Sequence, residues 1–82
     1  MDKDAILAKL KEILVTEFEL DAGSITLEKT LENDLDLDSL DMIDMLMFLN
    51  DYVNGEPDPA LFKEARTIGD MVNLLVPIWK DG

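Results

Sequence analysis

The sequence predicts an all-α fold, a small bundle of four helices in which three are longer and one is short, with a long loop between the first and second. Three observations predict it. Apolar residues recur at three- and four-residue spacings in separate blocks, the period of a helix with one buried face. Capping signals bracket those blocks. No hairpin signal, internal repeat or low-complexity segment competes with them.

The first block runs from about Lys3 to Phe18, with Ile6, Leu7, Leu10, Ile13, Leu14 and Phe18 at helical spacing and Lys9, Lys11, Glu12 and Glu17 between them. Asp2 and Asp4 suit its positive N-terminal pole, and Asp21-Ala22-Gly23-Ser24 ends it with turn chemistry. From Ile25 to Leu37 no period persists. Ile25, Leu27, Leu31, Leu35 and Leu37 read as anchors of a long, ordered loop, and loops of that length in a compact domain are usually functional. A second helix starts at Asp38 or Ser39 and runs to about Val53. Asp38 is its N-cap, Asp41 completes a capping-box-like pair, and Asn54-Gly55 closes it. Between Pro57 and the last block a short helix covers Ala60 to Ala65. The last helix begins with Thr67 as N-cap and Asp70 at the third position. Its apolar face is Ile68, Met71, Val72, Leu74 and Leu75, and Pro77 ends or kinks it.

Length and composition remove most functions. At 82 residues the chain is read as one domain, residues 1–82. A domain of this size buries only roughly 60–65% of its unfolded surface, so its core is thin. Cysteine is absent, which excludes a disulfide scaffold, a thiolate nucleophile and thiolate metal sites, and is compatible with a reducing cytoplasm. Histidine is absent too, so there is no Ser–His or Cys–His pair and no imidazole ligand for zinc. We therefore expect no catalytic residues, no resident metal and no autonomous enzyme.

The formal net charge of −12 would repel nucleic acid and anionic membrane surfaces and steer basic protein partners in. No signal peptide is expected, since no apolar run follows Met1-Asp2-Lys3-Asp4, and no stretch is apolar enough to span a bilayer. A free-standing, monomeric, cytoplasmic chain is the expectation. The charge is unevenly placed. From Thr30 to Phe62 there are nine acids, Glu32, Asp34, Asp36, Asp38, Asp41, Asp44, Asp51, Glu56 and Asp58, and no Lys or Arg. An acidic run is ordinarily a solubilising surface. Crowding one sign of charge on a small domain costs self-repulsion, which points to a patch used to meet a basic surface.

The second helix is over-apolar. Between Leu40 and Leu49 only Asp41 and Asp44 are polar. A helix buried on most sides accounts for part of this. Asp41 and Asp44 share a face that needs solvent, however, with Leu40, Ile43 and Met47 beside it, and an apolar stripe flanked by carboxylates reads as a docking surface. The three methionines of this helix suit a pocket or interface that accepts varied shapes.

The segment Asp34-Leu35-Asp36-Leu37-Asp38-Ser39-Leu40-Asp41 resembles the signature of the acyl carrier protein family, in which Asp-Ser-Leu follows the long loop and opens the second helix. The resemblance covers nearly the whole chain: a first helix ending near Phe18, the long loop, the acidic helix after the serine, an acid–proline step at Glu56-Pro57, and a Thr67-Ile68 start to the last helix, in that order. It implies that a phosphopantetheinyl transferase joins 4′-phosphopantetheine from coenzyme A to Ser39, and that the thiol of this arm carries acyl groups as thioesters. It further implies that Asp38 is read beside Ser39 by the transferase. Leu40, Asp41, Asp44 and Met47, extended by Asp51, Glu56 and Asp58, would meet the enzymes that load and use the acyl group. Phe18, Leu46, Leu49 and Ile68 would line the acyl cavity. A plain serine is common at a helix start. Here it stands in a chain without a thiol and without a base to activate it, which favours modification over catalysis.

Two departures mark a specialised carrier. Many carriers have glycine two residues before the aspartate of the motif, where this chain has Asp36, which restricts the loop and adds a charge. Late positions of the second helix that are often acidic hold Asn50 and Tyr52, the region around Gly55 is shortened, and the tail Pro77-Ile78-Trp79 is distinctive. Two other readings compete. Asp34, Asp36 and Asp38 have the spacing of an EF-hand calcium loop, but its glycine position holds Ser39 and its bidentate glutamate position holds Met45. An unmodified adaptor with the same fold is the other.

Overall fold

The structure, a computed structural model, describes residues 3–55 and 57–80. It is a small helical bundle of four α-helices, α1 (Lys3–Glu17), α2 (Ser39–Leu49), α3 (Pro59–Glu64) and α4 (Ile68–Leu75), with short 3-10 turns at Ala22–Ser24, Asn50–Tyr52 and Val76–Ile78. α1 packs against α4, and α2 against α3. Their inward faces merge into one core. Ile6, Leu10, Leu14, Met45, Leu49, Ile68, Met71 and Leu75 are fully buried in it. Asp2, expected at the N-terminal pole of the first helix, lies outside the described residues.

α1 ends earlier and by a different device than the sequence predicts. Glu19 takes the left-handed conformation, φ 59°, and the Leu20 N–H reaches back to the Leu14 carbonyl at 3.1 Å. This is the αL stop usually made by glycine. The segment Ala22-Gly23-Ser24 is a separate turn, whose Asp21 side chain accepts from the Gly23 N–H.

The long loop is ordered by hydrogen bonds to the start of α4. Leu31 N–H donates to the Arg66 carbonyl (2.8 Å), Ile68 N–H to Lys29 (3.1 Å) and Gly69 N–H to Leu27 (3.0 Å), and Thr30 pairs with Thr67 in an isolated bridge. A side chain at position 69 would put its Cβ 3.2 Å from the Leu27 carbonyl oxygen, so glycine permits this close approach. Ile25, Leu31, Leu35 and Leu37 are buried as expected. Leu27 is not: it is exposed, because the chain uses its carbonyl, not its side chain, to hold α4.

α2 stops at Leu49, short of the expected Val53. Val53 is drawn into extended pairing with Trp79: Asn54 N–H donates to the Ile78 carbonyl at 2.6 Å and Lys80 N–H to that of Tyr52 at 2.9 Å. Gly55, at φ 81°, therefore turns the chain after that bridge instead of capping the helix. The tail Pro77-Ile78-Trp79 is thus a strap across the end of α2. Trp79 stacks on Tyr52 at 6.2 Å, and the Lys9 ammonium sits 4.4 Å over the Tyr52 ring.

α3 has six residues, too few to persist alone. Asp58 caps it by accepting from the Ala60 N–H at 2.9 Å, Pro59 opens it, and buried Phe62 roots it in the core. α4 begins with the expected capping box between Thr67 and Asp70. Of its apolar face only Leu74 is left partly exposed.

Two carboxylates, Asp34 in the loop and Asp70 in the first turn of α4, tie stability to pH. Asp34 lies below the usual carboxylate range, first because the Thr30 N–H donates to it, and Asp70 does so because the Arg66 and then the Thr67 N–H donate to it. Unfolding removes these bonds and restores the ordinary value, so their stabilisation is present above about pH 4 and lost as pH falls through the lowered folded value. Asp70→Asn should lower the urea midpoint at pH 7 in about 0.15 M salt, where remote repulsion is screened. The gap to the unmutated chain should close below about pH 4. A gap that is unchanged by pH would contradict this origin.

Candidate functional site

Asp38 and Asp41 fix where α2 begins. The Asp41 N–H donates to the Asp38 carboxylate at 2.9 Å, and the Asp38 N–H donates to the Asp41 carboxylate at 3.0 Å. This reciprocal box satisfies two backbone donors of the helix start, and losing such a cap typically costs about 1 kcal/mol. It leaves Ser39 as the first helical residue, exposed. The backbone N–H groups of Ser39 and Leu40 have no hydrogen-bond partner among the described residues, so the positive pole of α2 is open around the hydroxyl. An anionic phosphodiester fits such a position. Ser24, the only other serine of the chain, is exposed too, but it ends the 3-10 turn after α1 and its N–H donates to the Asp21 carbonyl at 2.9 Å, so no open helix start surrounds it.

Below this exposed start α2 is rooted by Met42, Met45 and Leu49, which are buried. The methionines therefore divide: two are core, and only Met47 faces solvent. Leu40 and Met47 are 70% and 71% exposed, large values for apolar side chains on a helix that is elsewhere packed. Ile43 is half-buried between them. Asp44 is exposed and Asp41 partly so, which places carboxylates beside the apolar stripe. Asp51 continues the exposed acidic surface, and Asp58 is exposed while capping α3. Glu56 lies outside the described residues. Sequence reasoning missed Phe48 and Leu61, both exposed. Their helical spacing gave no sign that they escape the core.

A cleft of about 690 Å³ opens beside Ser39, between the loop, the start of α2 and the end of α3. It is lined by Thr30, Leu31, Glu32 and Asn33, by Leu37, Asp38, Ser39 and Met42, and by Lys63, Glu64, Ala65 and Arg66. None of the four residues expected to line an acyl cavity borders it. Leu49 and Ile68 are fully buried core. Phe18 and Leu46 are half-buried around it, with the Phe18 ring edge-on to Phe48 at 6.1 Å. The periodicity that marks a residue as inward cannot distinguish filled core from cavity wall. Lys63 and Arg66 could have been found, as the first bases after the acidic stretch.

Among the described residues the carboxylates of Asp34, Asp36 and Asp38 are not gathered round one point. The Asp34 carboxylate accepts from the Thr30 N–H at 2.9 Å and that of Asp38 serves Asp41. No group of three such side chains is placed to hold a metal among the described residues. Asp36 is exposed in the left-handed conformation, φ 56°. That explains why glycine suits this position and why aspartate, which tolerates the region better than most, can replace it.

The family model described as the phosphopantetheine attachment site matches residues 8–75, a span that includes the whole loop, the Asp38–Asp41 box and all of α2 to α4. The chain belongs to that family. It is similar to the acyl carrier protein of Lactobacillus acidophilus, 32% identical over 75 residues that cover 92% of this chain and 94% of that one. Acyl carrier protein 2 of Ralstonia nicotianae is 33% identical over 72 residues, 88% of this chain and 89% of that one. The acyl carrier protein of Petrotoga mobilis is 32% identical over 75 residues, 92% and 88%. Members are non-catalytic carriers, and 4′-phosphopantetheine is the group that the matched domain takes. Among the described residues no helix is long and apolar enough to cross a membrane.

The strain at Asp36 is testable. Asp36→Gly should change stability by less than about 1 kcal/mol, since relief of the left-handed strain is offset by a freer unfolded chain. Asp36→Val should cost about 1–2 kcal/mol, because a β-branched residue resists positive φ. Urea unfolding measures both, and a harmless valine would contradict the conformation.

Proposed function

We propose that Ser39 carries the 4′-phosphopantetheine arm and that the chain delivers acyl thioesters on it to partner enzymes of fatty-acid, lipid or polyketide-type biosynthesis. The observation that carries this reading is the exposed hydroxyl at the open first turn of α2, inside the residues the family model matches. The chain has no histidine or cysteine that would turn the serine into a nucleophile of its own. A transferase acting in the cytoplasm would supply the arm, reading Asp38 next to the serine. The bonds between Asp38 and Asp41 fix the backbone from which that hydroxyl projects.

Leu40 and Met47 supply desolvation at the docking surface, and Asp44 and Asp51 supply the charge that basic partners meet, with Asp41, Glu56 and Asp58 adding to it. Such charges set encounter rate and orientation more than they set final affinity.

With coenzyme A, magnesium and a broad-specificity phosphopantetheinyl transferase, the chain should gain the mass of one phosphopantetheine group, and Ser39→Ala should gain none. An unchanged mass with several transferases would overturn the carrier reading and favour an adaptor. For the docking surface Asp44 is the cleaner probe, since Asp41 also caps the helix. Asp44→Lys should slow acyl transfer to or from the cognate enzyme about tenfold while changing folding stability by less than about 0.5 kcal/mol. Unchanged transfer would remove Asp44 from the surface.

A further inference from the structure

Phe48 belongs neither to the core nor to the stripe of Leu40 and Met47. It is 40% exposed, and its ring stands edge-on to that of Phe18 at 6.1 Å. α1 packs against α4 and α2 against α3, so this pair carries the surface of α2 across to the end of α1. Val15, one turn before Phe18, is exposed as well. Carboxylates stand on both sides of the pair. Glu17 and Glu19 flank Phe18 in the chain, Asp44 and Asp51 lie about one turn before and after Phe48, and all four are exposed. Two bases approach. Lys11 is two turns before Phe18 on α1, and the Lys80 ammonium bonds at 3.4 Å to the Asp51 carbonyl, not to its carboxylate. The surround of the two rings is therefore net negative.

We propose that the Phe48–Phe18 pair receives an arginine-bearing apolar patch of the enzymes that turn over the acyl thioester, so that their footprint crosses from α2 onto the end of α1. The proposal rests on Ser39 carrying the arm. A guanidinium lies against an aromatic ring and pairs with carboxylates at its edge, and it sheds water more readily than an ammonium. Aromatic and arginine side chains are also the residues that carry most binding energy where they meet at an interface. A purely aliphatic partner would leave the four carboxylates unanswered. A second copy of this chain would bring its own charge of −12 against them. Position decides which enzymes dock here. Phe48 is nine residues after Ser39 on α2, about 13 Å along the axis. The transferase must bring its reacting atoms to the Ser39 hydroxyl, so its footprint is centred on the start of α2. An enzyme that acts on the thiol at the end of a long arm is free to dock at the other end. The two classes of partner thus read different ends of one helix.

The test uses the full chain with its arm attached and acylated, and the enzyme purified from the chain's own cells by its turnover of that substrate. Glu17→Lys is the first variant, because a cation in the last turn of α1 suits the helix dipole and does not weaken the fold. It should lower kcat/KM for acyl transfer about fivefold, mostly through KM, while arm attachment by a transferase changes by less than about twofold. Glu28→Lys makes the same change of charge in the loop, away from the pair, and should leave both reactions within about twofold. Phe48→Ala, checked for unchanged helix content, should lower kcat/KM for acyl transfer about tenfold and spare arm attachment. Unchanged acyl transfer in either Glu17→Lys or Phe48→Ala overturns the inference. So does an equal loss in Glu28→Lys, or a loss of arm attachment as large as that of acyl transfer. A chain that gains no arm at all overturns the attachment at Ser39 instead, so the two failures are distinct.

Discussion

Two carboxylates, each bonded to the other's backbone amide, determine where α2 starts. Most of what the site can do follows from that position. With Asp38 as cap, Ser39 becomes the first helical residue, its hydroxyl faces solvent, and the amides of the first turn remain open beside it. A start one residue later would make Ser39 itself the cap, and its oxygen would then be drawn to a backbone donor in place of a phosphate. The box also converts Asp41 from a free surface charge into a partly structural one. Asp44 and Asp51 are left as the residues whose charge is fully available outward.

The same helix must be anchored and exposed at once. Met42, Met45 and Leu49 bury one side of it, while Leu40 and Met47 stand in water on the other. Leaving apolar surface exposed gives up burial energy that a thin core could use. The fold compensates with backbone bonds from outside the helices: the loop is tied to the start of α4 through Leu31, Ile68 and Gly69, and the tail is tied to the end of α2 through Asn54 and Lys80. The stack of Trp79 on Tyr52, with Lys9 above it, closes the second tie. The helix that bears this exposed apolar face is thus steadied by ties outside it.

The helices, both capping boxes and the buried anchors of the loop were legible in the sequence, because they depend on spacing and on neighbours three or four residues away. The places where the sequence misleads involve partners far along the chain. Val53 reads as the end of α2 until Trp79 pairs with it, and Leu27 reads as an anchor although only its carbonyl is used, by Gly69. Glu19 and Asp36 sit at positive φ without the glycine that would announce it. The cleft beside Ser39 escaped because Thr30, Asn33, Lys63 and Arg66 meet only when the loop and α3 come together. Phe18, Leu46, Leu49 and Ile68 share a hydrophobic pattern that says inward without saying whether the space beyond is filled.

The central claim is that the open start of α2 makes Ser39, and not Ser24, the residue that carries the arm. Tandem mass spectrometry of peptides from the protein isolated from its own cells tests it most directly. The account predicts a phosphopantetheine group on the peptide that holds Ser39, with fragment ions on either side of the serine confining it there. Phosphopantetheine on another residue, or a Ser39 peptide recovered only in unmodified form, would contradict it.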